Sequence, residues 1–144
     1  MVNDHTLPAK LWVTHAFYRS LKAFPIACFS LTVLTDIAYW RTSNLLWLHF
    51  SEWLLFAGLV FGGLAAVVRI IDRLTGGIHL SWPGMAGWFI VFLLAVLNSF
   101  IHTADGWTAV VPWGMTVSVL TVIAMLATGL VTTWSVRTGG HHHV

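Results

Sequence analysis

Four apolar stretches, Ala23–Trp40, Leu45–Ile71, Trp82–His102 and Val111–Val136, take up most of the 144 residues. Each approaches or exceeds the ~18–20 residues a helix needs to cross a hydrocarbon core of ~30 Å. A bilayer supplies no water to free N–H and C=O groups, so a spanning chain is helical or closes into a barrel. Runs of this length without strict apolar–polar alternation leave the helix. Charged residues are 8% and hydrophobic residues 58% of the chain, against roughly 25% and 45–50% in a soluble domain. The expected fold is therefore all-α and polytopic. A four-transmembrane-helix bundle occupies residues 23–136, between an interfacial segment, 1–22, and a flexible tail, 137–144.

The same composition excludes several classes of function. Cys28 is the only cysteine, so there is no disulfide framework, no CxxC pair and no CxxCH for covalent haem. GxSxG, P-loop, HExxH and GxGxxG motifs do not occur, which points to a non-catalytic or electron-transfer subunit more than to an independent enzyme. A sequence pI of about 9.1 does not imply nucleic acid, because the basic residues flank the apolar runs and form no face. Asp4 and Pro8 precede a first apolar run too long for a cleavable signal, so that run is expected to stay in the membrane.

The basic residues orient the bundle. Lys10, Arg19, Lys22, Arg69, Arg73 and Arg137 fall at one end and only Arg41 at the other, which predicts an inner (cytoplasmic) membrane protein with both termini in the cytoplasm. Trp40, Trp47, Trp107 and Trp113 would then mark the outer interface, and Trp12, Trp82 and Trp134 the inner one. Leu7, Leu11, Trp12 and Val13 interleave with Lys10, Thr14 and Arg19, the pattern of a short helix on the inner surface, with Pro25 marking the turn into the membrane. In the second span Gly58 and Gly62, followed by Ala65 and Ala66, predict close packing within the bundle. The hydroxyls of Thr116, Ser118, Thr121, Thr128, Thr132 and Thr133 are expected to bond the preceding turn of the fourth span.

Ionisable and amide side chains gather at the outer end. Asp36 lies within the first span, His49 and Glu52 (i, i+3) within the second, and Asn98 and His102 (i, i+4) within the third, with Arg41 and Asp105 just outside. Ionisable groups inside a membrane cost about 3 kcal/mol each on insertion scales and mark functional sites by default. Three chemistries fit. His49 and His102, at matching depth on neighbouring antiparallel spans, could ligate one haem b, with Asn98 orienting a ligand or propionate and Asp36 and Glu52 tuning the potential. Asp36, His49, Glu52 and His102 could form a nitrogen–oxygen metal site. Asp36 and Glu52 could titrate at a proton or quinone site. Against these stand structural roles for each residue, Asp36 pairing with Arg41 or a nearby hydroxyl among them. His15, at the inner end, could meet a lipid headgroup or ligand, or be an exposed helix residue. His141–His143 form a short tract able to take up metal.

The stretch His15–Leu74, with FPIA at Phe24–Ala27, an acidic Asp36 and the Gly/Ala-rich run Gly58–Asp72, resembles bacterial inner-membrane proteins classed only as a domain of unknown function. Their signature is similar to HPLHPMLVPFPIAL. His15 falls on its first histidine, but Tyr18 stands at the second and Ala16 and Arg19 replace prolines, so a ligand pair built from the two family histidines would be incomplete here. Relatives carrying a c-type cytochrome domain imply an electron-transfer setting. The sequence thus reads as a small membrane subunit of a redox complex carrying haem b at the outer side, with membrane or periplasmic redox subunits as partners. Its rival is a cofactor-free subunit that anchors a larger assembly.

Overall fold

A computed structural model of the chain describes residues 9–74, 82–104 and 109–139, with side chains placed for 20–71, 73–74, 82–104 and 110–134. The described elements are helices α1 (Ala9–Thr42), α2 (Leu45–Leu74), α3 (Trp82–His102) and α4 (Met115–Gly139), with a π-helical turn, Ala109–Gly114, before α4. Ser20–Thr42, Leu45–Ile71, Trp82–His102 and Val110–Trp134 are long and apolar enough to cross a membrane. The shortest has 21 residues and rises about 31 Å, a full hydrocarbon thickness. Each helix packs on its two neighbours in the ring α1–α2–α3–α4. The chain is a four-helix membrane bundle.

The α1–α2 connection is short because its capping chemistry is local. Ser43 takes a left-handed conformation (φ 51) and its N–H donates to the Tyr39 carbonyl at 2.7 Å, closing α1 with an αL residue. Asn44 then caps α2, its Oδ1 accepting from the Leu46 N–H at 3.0 Å. This turn and the α3–α4 connection define one end of the bundle, the hairpin end. The other, where α1 begins and α4 ends, is the terminal end.

α1 departs from the sequence expectation of a separate surface helix that turns at Pro25. It is one helix from Ala9 to Thr42 with Pro25 inside it. A proline removes one backbone bond and crowds the preceding turn, but spanning helices tolerate it where a neighbour packs against the site. Pro25 is buried, and a Cβ on Gly62 of α2 would sit 3.7 Å from it. The side chains before Ser20, including Lys10, Trp12, His15 and Arg19, lie outside the described residues, as do Asp105, Trp107 and the His141–His143 tract.

The bundle is apolar outside and partly polar inside. Leu34, Phe56, Phe89, Leu126 and Leu130 are each more than half exposed, as surfaces toward lipid tails must be. The apolar centre consists of Phe29, Leu55, Val91, Ala95 and Met125, with Leu59, Trp88, Val122 and Ala124 packed against it. Two glycines bring helix pairs together. A Cβ on Gly58 would collide with the Phe29 ring of α1, and one on Gly87 of α3 would strike Thr128 of α4. Gly58 and Gly62 therefore serve packing within the chain, as their spacing predicted. Toward the terminal end Lys22 lies 4.9 Å from the Trp88 ring centroid, and Arg73 Nη1 donates to Met85 Sδ at 3.1 Å, so cations from α1 and α2 both rest on α3.

Candidate functional site

Helical phase decides which polar residues meet. On α2, Ser51, Leu55, Gly58 and Gly62 recur at i, i+4, i+7 and i+11 and share the face that packs into the bundle. Ser51 is fully buried on that face. From α1, Asp36 enters the same layer, also with no exposed surface. α3 contributes Asn98 and His102, one turn apart and both buried, and α4 contributes Ser118. All four helices thus supply a side chain to one layer near the hairpin end.

Asp36 is its hub. Ser51 Oγ donates to Asp36 Oδ1 at 2.6 Å, Ser118 Oγ donates to Oδ2 at 2.6 Å, and His102 Nε2 stands 2.9 Å from Oδ1. Asn98 Nδ2 donates to Ser118 Oγ at 2.7 Å. Thr35 Oγ1 lies 2.7 Å from Ser51 Oγ and also within bonding distance of the Thr32 carbonyl at 2.9 Å, so its one proton is shared between the network and its own helix. The Asn98 side-chain oxygen meets no donor among the described residues. Its amide orientation is still fixed, since the Ser118 proton is already committed to Asp36.

The protons of the central pair can be counted. His102 Nδ1 lies 2.9 Å from the Asn98 backbone carbonyl, and a carbonyl only accepts, so Nδ1 carries hydrogen. One further proton must lie on the Nε2–Oδ1 line. It sits on the ring, giving imidazolium and carboxylate, or on the acid, giving two neutral groups. Either way the pair has zero net charge, which is how a histidine and an aspartate, each with 0% exposed side chain, tolerate a low-dielectric interior. Phe29, Leu55, Ala95 and Met125 lie one to two turns toward the terminal end of the network residues on their own helices and close it with an apolar layer.

The other expected site residues are elsewhere. His49 and Glu52 bond each other, Nδ1 to Oε2 at 3.2 Å, with side chains 62% and 30% exposed. His49 precedes Gly58 by nine positions, about two and a half turns, and so points to the opposite face of α2. The structure therefore does not bring His49 and His102 to one open position. Both ring nitrogens of His102 are engaged in hydrogen bonds, and an iron could be bound only by breaking one of them. Among the described residues no three His, Cys, Asp or Glu side chains stand together as a metal site, so the set Asp36, His49, Glu52 and His102 is not assembled. Arg41 does not reach Asp36; its guanidinium lies over the Trp40 ring at 5.3 Å.

Sequence reasoning missed Ser51 altogether and treated Ser118 as one more hydroxyl bonded to its own helix. That expectation holds for Thr121, Thr128 and Thr132, whose Oγ1 atoms donate to the Val117, Ala124 and Thr128 carbonyls. Ser118 donates across the bundle instead. For Ser51 the signal was available: it is in phase with Gly58 and Gly62, whereas His49 and Glu52 are not. For Ser118 no sequence signal separates it from Thr121.

No curated protein and no solved structure matches the chain. A family model described as "Predicted membrane protein (DUF2231)" matches residues 20–143, from the first residue of the α1 span to beyond the end of α4. The network, the glycine contacts and the four spans all fall within that match, and the chain belongs to this family of membrane proteins.

Proposed function

We propose that this protein is a cofactor-free structural subunit that anchors or organises a larger membrane assembly. The observation that carries this reading is the interhelical bonding of Asp36: both carboxylate oxygens, His102 Nε2 and the Ser51 and Ser118 hydroxyls are used between helices, while His102 Nδ1 is held by the Asn98 carbonyl of its own helix. Such a network fixes helix order and depth, which a purely apolar bundle in lipid specifies weakly. The hairpin end faces outward in this proposal, with the termini in the cytoplasm of a bacterial cell. The basic asymmetry between Arg41 and the Lys22, Arg69 and Arg73 end supports that orientation. A redox subunit carrying haem b, or a quinone site at Asp36, would have to draw on groups already bonded to one another.

The deciding experiment is purification of the native protein from its own membranes in mild detergent, followed by mass spectrometry and by oxidised and reduced absorption spectra. The expected result is a colourless subunit that leaves the membrane with partners and is released from them in a His102→Gln variant. A low-spin haem spectrum in the native protein that vanishes in His102→Gln would overturn the proposal in favour of the redox reading.

A further inference from the structure

Resting on the reading of the protein as an assembly subunit, we infer that the outward face of α2 is a two-fold interface with a second copy of this chain, closed by crossed His49–Glu52 pairs. His49 lies on that face and Glu52, its bonding partner, at the edge of it. Its other members are Trp53, Phe56, Val60, Leu64 and Val67, all exposed, at helical spacings that keep them opposite Ser51, Gly58 and Gly62.

The depth of the pair is what demands a partner. Trp40, Trp47 and Trp113 lie about 6–7 Å toward the hairpin end of Asp36, Ser51 and Ser118 on their own helices, so the three rings form one belt. His49 and Glu52 lie about 3 Å and 7 Å inward of Trp47. His49, inward of the aromatic belt and 62% exposed, faces lipid, and Glu52 beside it is 30% exposed on the flank of that face, whereas ionisable groups at such depth normally face protein or a water-filled cavity. α2 is also the span least covered by its own chain: 17% of its most apolar stretch is buried, against 33% for the span that includes α4.

Charge complementarity selects the occupant. A histidine and a glutamate three positions apart are donor and acceptor on one surface, and a two-fold axis along the membrane normal sets two α2 helices parallel at equal depth. Each His49 can then turn to the other chain's glutamate and each Glu52 to the other chain's histidine, replacing two local bonds by two intermolecular ones without any further group. Gly63 lies on the same side of α2, with nothing within 4 Å of the position its Cβ would take. A second backbone can approach there. The packing glycines Gly58 and Gly62 are engaged with α1 and α3 and are not needed for this contact.

The test uses the full chain in lipid vesicles, at protein densities low enough to exclude chance proximity. In a Cys28→Ser background, Trp53→Cys should cross-link to a species of twice the chain's mass, while Leu130→Cys, on the exposed surface of α4, should not. His49→Gln and Glu52→Gln should each weaken association by about tenfold or more, since one substitution removes both crossed pairs. A His49→Glu chain and a Glu52→His chain should each self-associate poorly, yet pair with each other when mixed. Equal cross-linking of the α2 and α4 positions, or association unaffected by these substitutions, overturns the two-fold interface. A chain that is monomeric at every density but loses a foreign partner in Glu52→Gln also overturns it, while leaving the assembly reading in place. A monomer that binds no partner overturns both.

Discussion

Among the described residues, two histidine–carboxylate pairs lie at nearly the same depth, and they differ in what their hydrogen bonds connect. Asp36 and His102 are 66 positions apart in sequence, lie 2.9 Å apart in space and are wholly buried. His49 and Glu52 are three positions apart on one helix and 3.2 Å apart, the histidine exposed and the glutamate half-buried. The first bond forms only when α1 and α3 are correctly docked, so it reports on the fold. The second forms on an isolated α2, so it contributes nothing to docking and leaves both groups free to exchange partners. Similar side chains at similar depth thus carry different information, and helical phase alone separates them.

The largest effects are expected where the buried pair is broken. Asp36→Ala leaves His102, Ser51 and Ser118 without their common acceptor, and His102→Ala leaves a carboxylate with one donor fewer. Removing one member of a buried pair costs about 3–5 kcal/mol, a large share of the stability of a small domain. Steric-trap or denaturant unfolding in bicelles measures it. The double variant Asp36→Leu with His102→Leu should recover part of the loss, because neither ionisable partner is then left buried alone, although Ser51 and Ser118 still lose their acceptor. A double variant as unstable as the sum of the singles would show that the two residues act independently.

Next in size are substitutions on the two faces of α2. Gly58→Ala places a methyl where the Phe29 ring lies and should cost about 1–3 kcal/mol through overpacking. Gly63→Ala meets nothing within 4 Å and should leave the monomer unchanged or slightly more stable, since alanine favours a helix over glycine by about 0.5–1 kcal/mol. If both glycines respond alike, the assignment of inward and outward faces fails. Ser118→Ala falls in the same range. It deletes a donor to Asp36 and an acceptor for Asn98, and unsatisfied buried groups cost about 1–3 kcal/mol each. Ser118→Thr, which keeps the hydroxyl, should retain the bonds at the cost of one added methyl.

The sequence made the spans legible because bilayer thickness imposes a length that composition reveals directly: Leu45–Ile71 and Trp82–His102 coincide with the spans of the structure. The buried role of Asp36 and the partnership of Asn98 and His102 with the polar layer were also readable, since ionisable residues in a span must find company. The expected membership of His49 failed because depth was matched without phase. A shared depth places residues in one layer, but a position 180° from the packing face points outside it. Pro25 misled for another reason. Its missing N–H suggested a helix boundary, whereas burial beside Gly62 lets α1 run through it. The Ser118 bond depends on helix rotation that tertiary packing sets, which no local pattern encodes.

The smallest expected effect gives the comparison its sharpest form. In isolated monomers at high lipid-to-protein ratio, His49→Gln, Glu52→Gln and the double variant should each change unfolding stability by no more than about 0.5 kcal/mol. That is the size of an i, i+3 pair on one helix, and both groups stay on the same helix at the same depth in the folded and unfolded states. A double-mutant cycle in that regime should give a coupling of only a few tenths of a kcal/mol. The Asp36–His102 cycle under the same conditions should exceed it several-fold, because its coupling includes helix docking. If the outward pair proved as strongly coupled within the monomer as the buried one, His49 and Glu52 would have to belong to the bundle's own network. In that case the outward face of α2 would offer a second chain only apolar contact.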